Sequence, residues 1–146
     1  MKIGLLAYHA ACNFGAFLQL LSTVEYIKKI GYNPIVINWV PKDFREDYER
    51  RSLVEVRKLY AKLQKQYYPL SELCETAEDV ANVIQEQGIK AVIVGSDAVT
   101  QHHPLRGRIV FPCKRIIAIA HPTSDRMFPN CFWGTFNDYL EKPVPV

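Results

Sequence analysis

Lys2-Ile3-Gly4-Leu5-Leu6-Ala7-Tyr8 is an apolar run, which is followed by Asn13-Phe14-Gly15-Ala16 and then by an amphipathic helical pattern from Phe17 to Ile30. The spacing predicts a strand, a turn and a helix whose left-handed cap is Gly31. The first N–H groups of such a helix have no intrahelical partners, and its dipole favours negative charge there. The junction therefore predicts a site for an anionic or strongly polar ligand.

The rest of the chain alternates between strand and helix patterns, which predicts an α/β fold. Strands are expected at 34–39, 90–94 and 115–120, and helices at 43–67, 76–87 and 135–140. The second strand is apolar on both sides, as in a parallel sheet that is covered on both faces. Between the strand at 115–120 and Gly134 the sequence predicts mostly loop.

Two helix starts carry the pattern of a capping box, Asp43 with Glu46 and Thr76 with Asp79. Gly88 is expected to close the helix that begins at Thr76. The long helix at 43–67 is predicted to bury one stripe of side chains, namely Leu53, Val56, Tyr60 and Leu63.

The 146 residues fit about one domain, and 49% hydrophobic with 23% charged residues is ordinary for a globular protein. The net charge of +3 does not form a basic stripe with interleaved aromatic residues. Around Arg45 to Arg51 the signs are mixed, which favours a solvated helix face. We therefore expect no nucleic-acid partner.

The four cysteines, Cys12, Cys74, Cys113 and Cys131, are scattered without a CxxC pair, which favours unmodified thiols and no metal site. The adjacent His102 and His103 lack a third ligand in view, so we expect no metal there either. The apolar core at residues 3–8 is too short for a signal peptide, and no run is long enough for a membrane span. These features predict a cytoplasmic protein without an integral membrane segment.

Gly95-Ser96-Asp97 follows the strand at 90–94, and ligands of open α/β sheets collect at the carboxyl ends of strands. Gly95 permits close backbone approach, Ser96 offers a hydroxyl, and Asp97 could hold a sugar hydroxyl or take its proton as a general base. The alternative is that Asp97 caps a following turn or helix. Both interpretations stay open.

Asn13, Phe14 and Gly15 have a structural alternative as well, in which Asn13 is only the N-cap and Gly15 a steric necessity. His9 lies between the first strand and this turn, where it could meet a ligand or simply pack. Arg106, Arg108 and Arg126 could hold phosphate or carboxylate groups, but surface placement is favoured for each.

Taken together, the motifs resemble a known family. Tyr8, Asn13-Phe14-Gly15-Ala16 and Leu18-Gln19 look like the amino-terminal Asn-Tyr-Gly-Ala-x-Leu-Gln signature of the polysaccharide pyruvyl transferases. Val94-Gly95-Ser96-Asp97 looks like their Gly-Ser-Asp-Gln-x-Trp motif. The resemblance covers essentially all of this chain, but at most about the first half of a complete family member.

The resemblance implies a two-lobed architecture similar to the GT-B glycosyltransferases, with residues 1–146 as a first, Rossmann-like lobe of a longer protein. It implies transfer of a pyruvyl group from phosphoenolpyruvate to two hydroxyls of a sugar in a cell-surface or exported polysaccharide, as a ketal. Asp97 would bind or deprotonate a hydroxyl. His9, Asn13, Phe14, Gly15, Gly95 and Ser96 would contact substrate. No cofactor is expected, and the basic residues that hold the donor would belong to the second lobe.

The chain departs from the family pattern at Ala98 and Thr100, which stand where the family has Gln and Trp. These losses leave acceptor choice and activity open. One alternative is a GT-B nucleotide-sugar glycosyltransferase, and another is a non-catalytic glycan-binding relative. A flavin or dinucleotide module fits less well, because the first turn lacks GxGxxG and Asn38 and Trp39 end the second strand in place of an acidic residue.

Overall fold

A parallel sheet of four strands forms the centre of the structure, a computed structural model that describes residues 1–95, 108–110, 116–118 and 131–146. Its strands are β1 (Lys2–Leu6), β2 (Asn33–Trp39), β3 (Leu70–Cys74) and β4 (Ile89–Val94). Their order is β3-β2-β1-β4, and all three pairings are parallel. The chain therefore builds outward from β1 through β2 to β3 and then crosses back to β4, as in Rossmann-like sheets.

Helices and short turns connect and cover these strands. They are α1 (Phe14–Lys29), α2 (Lys42–Arg51), α3 (Val54–Tyr67), α4 (Ala77–Gln87) and two 3₁₀ turns, Cys131–Trp133 and Thr135–Tyr139. The predicted α/β class with a parallel sheet and flanking helices is thus confirmed. A separate antiparallel pair joins β5 (Arg108–Val110) to β6 (Ile116–Ala118), and β6 lies within the strand that the sequence predicts at 115–120.

The alternation of side chains along the strands divides the core into two clusters. Leu5 and Val36 pack with the buried face of α1, whereas Leu6 and Ile37 pack with α4 and the 3₁₀ turns. Because successive strand residues point to opposite faces, a strand that is apolar throughout must be covered on both sides. The sequence pattern of β2 is explained in this way.

Gly4 lies where β1 is most tightly enclosed. A Cβ atom at this position would lie 2.9 Å from Ile37 Cδ1 and 3.3 Å from both Ile89 Cγ2 and Val92 Cγ2. Real Cβ atoms avoid such approaches, so the neighbouring side chains of β2 and β4 occupy the space that a larger residue would need. Gly4 therefore allows the central strand to sit between its two partners.

Helix α1 starts earlier than the sequence pattern predicts. It begins at Phe14 rather than Phe17, because Asn13 supplies the N-cap and its Oδ1 accepts from the Ala16 N–H at 3.1 Å. Its end agrees with the prediction, since Gly31 has a φ of +87°. The Gly31 N–H donates to Lys28 O at 3.0 Å and the Tyr32 N–H to Ile27 O at 3.1 Å, which is a Schellman motif.

The predicted single helix at 43–67 is wrong, because the chain forms α2 and α3 with an extended break at Ser52 and Leu53. Ser52 Oγ donates to Tyr48 O at 2.6 Å, and Arg57 Nη1 donates to Glu49 O at 2.7 Å. These bonds satisfy carbonyls that the end of α2 leaves open. The break needs neither glycine nor proline.

Two details of this region are also corrected. The Asp43–Glu46 capping box is wrong, since Pro41 is the N-cap of α2 and no side chain supplies a capping bond. Burial of Phe44 at 2% exposure fixes the start of this helix instead. The predicted buried stripe is wrong for Leu53, which is 72% exposed. α3 has no fully buried residue, although Tyr60 and Leu63 of the stripe are partly buried against the core.

The Thr76–Asp79 capping box is confirmed, with Thr76 Oγ1 accepting from the Asp79 N–H at 3.1 Å. Gly88 closes α4 with a φ of +64°, as predicted. Strand β3 was not predicted. Residues 131–133, expected as loop, form a 3₁₀ turn in which Cys131 and Phe132 are buried. The Phe132 ring lies 4.8 Å from both the Tyr8 and the Trp39 ring.

Candidate functional site

The carboxyl ends of β1 and β4 meet at one edge of the sheet. The Gly95 N–H donates to Leu6 O at 3.1 Å, so the chain leaves β4 beside the point where it leaves β1. Strand order reverses between these two strands, which is where open α/β sheets bind ligands. We call residues 7–13 together with Gly95 the switch-point edge.

The predicted site residues are described only in part. Ser96 and Asp97 lie outside the described residues, and so do Ala98 and Thr100. The same holds for four other residues weighed above, namely His102, His103, Arg106 and Arg126. Gly95, at the end of β4, is thus the described member of the Gly-Ser-Asp motif, and it is solvent-exposed.

Asn13 performs the structural role that the sequence left open as an alternative. Its backbone is extended, its side chain accepts from the Ala16 N–H, and its carbonyl oxygen accepts from the Phe17 N–H at 3.0 Å. The residue is also exposed. Capping uses Oδ1, and the amide Nδ2 remains the atom through which Asn13 could donate to a ligand.

Phe14 and Gly15 form the exposed first turn of α1. The Phe14 side chain is 63% exposed. A Cβ atom on Gly15 would lie 3.3 Å from Asn13 Oδ1, the atom that caps the helix. Gly15 therefore leaves room for the cap, in line with the steric alternative, and both residues directly follow the switch-point edge in the chain.

Replacing Asn13 by alanine should lower the free energy of unfolding by about 0.5–2 kcal/mol, since an N-cap side chain would be lost. Asn13→Ser keeps an oxygen acceptor and should lie close to wild type. Urea unfolding of the three proteins measures the difference. Equal losses in both variants would mean that the side chain stabilises the protein in another way.

His9 lies at the end of β1 and is buried, with 3% exposure. Its Nε2 lies 2.8 Å from Asn38 Oδ1, and its Nδ1 lies 3.1 Å from Ala7 O. Its own carbonyl oxygen accepts from Gln64 Nε2 at 2.6 Å. The histidine thus ties the end of β1 to β2 and α3, at the base of the predicted ligand-binding turn.

The surroundings of His9 set its protonation state. Burial lowers its pKa from the usual 6.5, while the contacts with Asn38 and Ala7 oppose that shift. A neutral imidazole has one N–H, which can donate to Ala7 O while Nε2 accepts from the Asn38 amide in its flipped orientation. His9 is therefore held as a neutral ring that positions the turn.

The free energy of unfolding should fall as the pH drops below 6.5. Between the lowered pKa of His9 in the folded protein and 6.5 in the unfolded chain, the unfolded chain binds more protons. Above pH 6.5 the neutral histidine contributes its full stabilisation. Urea unfolding on both sides of pH 6.5 should show a weaker pH dependence for His9→Gln than for wild type. Identical dependences would rule out His9 as the cause, because the other histidines are present in both proteins.

A narrow cavity of about 30 Å³ lies between β1, β4 and α1, with Ala7, Gln19 and Gly95 among its lining residues. Holding one water molecule takes roughly 10–15 Å³. The cavity therefore has room for water rather than for a sugar.

Sequence reasoning missed two residues that shape this edge, Asn38 and Gln64. Each contacts His9 across a long stretch of chain. The signal that could have found Asn38 is its position, since a polar residue near the end of an otherwise buried strand points to a partner at the same edge. Gln64 carried no comparable signal.

These elements define a class, a parallel α/β domain, with a candidate ligand-binding edge at its switch point. Comparison of the chain with models of protein families, with curated proteins and with solved structures gives no match. Within the described ranges, none of the helices has the length and apolar character that crossing a bilayer requires. The same ranges bring together no group of three side chains suited to a metal ion.

Proposed function

We propose that the chain is the amino-terminal, Rossmann-like lobe of a polysaccharide pyruvyl transferase and that its switch-point edge binds the sugar acceptor. The bond from the Gly95 N–H to Leu6 O carries the proposal. It places the motif that begins at Gly95 beside the end of β1. The turn at 13–16, the other stretch that resembles the family, reaches the same place, since Ala16 and Gly95 line one cavity. The two stretches are far apart in the sequence, and they lie close together only because the sheet order places β4 beside β1.

The proposed reaction joins phosphoenolpyruvate to two hydroxyls of one sugar. Two C–O bonds form at the carbon that carries the phosphate, while its C–O bond to phosphate and the π bond to the methylene carbon break. The methylene carbon gains a proton and becomes a methyl group. Of the two hydroxyl protons, one balances the proton gained at carbon and the other leaves with phosphate. The reaction needs no oxidant and no cofactor.

In a GT-B-like protein with two lobes, this lobe would bind the acceptor and the second lobe would bind the donor. Asp97, two residues after Gly95, would bind or deprotonate the acceptor hydroxyl. Asn13, Phe14, Gly15 and Ser96 would contact the acceptor, and His9 would support them from below. Cationic groups of the second lobe would hold the carboxylate and phosphate of the donor. The proposal places the reaction in the cytoplasm, on glycans that are exported afterwards.

The test is turnover by the full-length protein with phosphoenolpyruvate and oligosaccharide acceptors. We expect phosphate release that depends on the acceptor, together with an acid-labile ketal whose methyl group is seen by NMR. Asn13→Ser provides a matched variant, since it keeps the helix cap but removes the amide, and should raise the KM for the acceptor. Release of a nucleoside diphosphate from a nucleotide sugar, or sugar binding without turnover, would overturn the proposal.

A further inference from the structure

A second cavity lies beside the switch-point edge, between the β1–α1 turn, α2 and α3. Its volume is about 140 Å³. The residues that matter here are Cys12 from the turn, Arg45 and Tyr48 from α2, and Arg57, Tyr60 and Ala61 from α3. We call it the arginine pocket. It owes its existence to the break between α2 and α3, which the sequence did not reveal.

The side chains that the structure describes in the lining of the arginine pocket are positively charged overall, because they include Arg45 and Arg57 and no carboxylate. The charge of Arg45 is neutralised by Glu75, which does not line the pocket. Arg45 Nη1 lies 2.5 Å from Glu75 Oε1. Arg57 donates through Nη1 to the carbonyl oxygens of Glu49 and Ser52, at 2.7 and 2.5 Å. Carbonyl oxygens carry no net charge, so these bonds do not neutralise the positive charge of Arg57.

Arg57 is also held in place for binding. Its two bonds to the end of α2 fix the guanidinium plane, so less side-chain entropy is lost when a ligand binds. Both bonds use Nη1, while Nη2 and Nε carry three further N–H groups. A planar fork of this kind matches the paired oxygens of a carboxylate or phosphate.

The size of the pocket limits what can enter it. Pockets that bind drug-sized ligands have volumes of roughly 300–1,000 Å³, and the arginine pocket has about 140 Å³. Only a small organic molecule, or the charged end of a larger one, would fit. The tyrosine rings and Ala61 would contact its apolar part.

We propose that the arginine pocket binds the oxyanion of a small organic ligand, a carboxylate or a phosphate, through Arg57. The inference is independent of pyruvyl transfer, because it rests on the charges and geometry of α2 and α3. It adds a second binding position to the same end of the sheet, next to the turn that carries Asn13.

Calorimetric titration of the full-length protein at low ionic strength tests the proposal, with inorganic phosphate and acetate as separate probes. We expect saturable binding of at least one probe, and the tighter one identifies the oxyanion. Arg57→Gln should weaken it by roughly tenfold or more, the typical effect of losing charge-assisted hydrogen bonds. The control is Lys58→Gln, which removes an exposed positive charge from the same helix and should bind as wild type does.

Arg57 also stabilises the end of α2, so a second variant separates binding from folding. Ala61→Leu keeps Arg57 but fills the pocket, and it should bind the probe at least as weakly as Arg57→Gln. Unchanged binding by Ala61→Leu, an equal loss in Lys58→Gln, or no binding of either probe to the wild type would overturn the proposal. None of these results depends on whether the protein transfers pyruvate.

Discussion

Phe136→Ala should lower the free energy of unfolding by about 3–5 kcal/mol, the cost of removing a large aromatic side chain from a packed core. Phe136 is completely buried, in the cluster that also contains Val80 and Ile84 of α4 and Ile37 of β2. The 3₁₀ turn of residues 135–139 therefore helps to cover the sheet. Urea unfolding followed by circular dichroism measures the loss.

The matched control is Tyr139→Ala in the same turn. Tyr139 is 51% exposed, so its truncation should change stability by no more than about 0.5 kcal/mol. A similar small change in both variants would show that residues 131–146 do not contribute to the core. In that case the turn of residues 135–139 would not help to cover the face of the sheet on which α4 packs.

Three strands of the central sheet were predictable because they are apolar runs. In β1 and β2 the position in the sheet denies water to most side chains. In β4 only Ile89 and Val92 are buried, and the apolar run alone identified the strand. The ends of the helices were predictable where capping chemistry is local, at Thr76, Gly31 and Gly88. In these cases the physical cause lies within a few residues of its effect.

β3 and the break between α2 and α3 could not be predicted in the same way. β3 is an edge strand in which Cys74 is buried and Glu72 and Leu73 are exposed, so its sequence shows neither a buried run nor clean alternation. The break depends on Arg57 reaching back to Glu49, a contact that forms only after the helices pack. Tertiary contacts decide both features.

The candidate site shows the same division. Parallel strands place their carboxyl ends at one edge, so the turn at Asn13 and the end of β4 could be expected to lie together. The pairing of His9 with Asn38 joins residues 29 positions apart. The position of Asn38 signals a partner at this edge but does not identify it, so the sequence left open whether His9 packs or meets a ligand.

Asp97→Asn in the full-length protein should abolish ketal formation while the fold stays intact. Asp97 follows Gly95, which is hydrogen-bonded to the end of β1, so the motif begins at the switch-point edge. An asparagine has nearly the shape of the aspartate but cannot accept the proton of a hydroxyl. Loss of a general base typically costs about 10²–10⁴ in rate. The rate of acceptor-dependent phosphate release measures the effect.

Asp138→Asn is the control for this prediction, because it removes an exposed carboxylate from the turn of residues 135–139, away from the switch-point edge. It should leave turnover unchanged, and both variants should unfold at the same urea concentration as wild type. Wild-type turnover by Asp97→Asn would exclude Asp97 as the base. A loss of turnover accompanied by a loss of stability would instead assign Asp97 the capping role that the sequence leaves open, since a cap stabilises the fold whether or not substrate is bound.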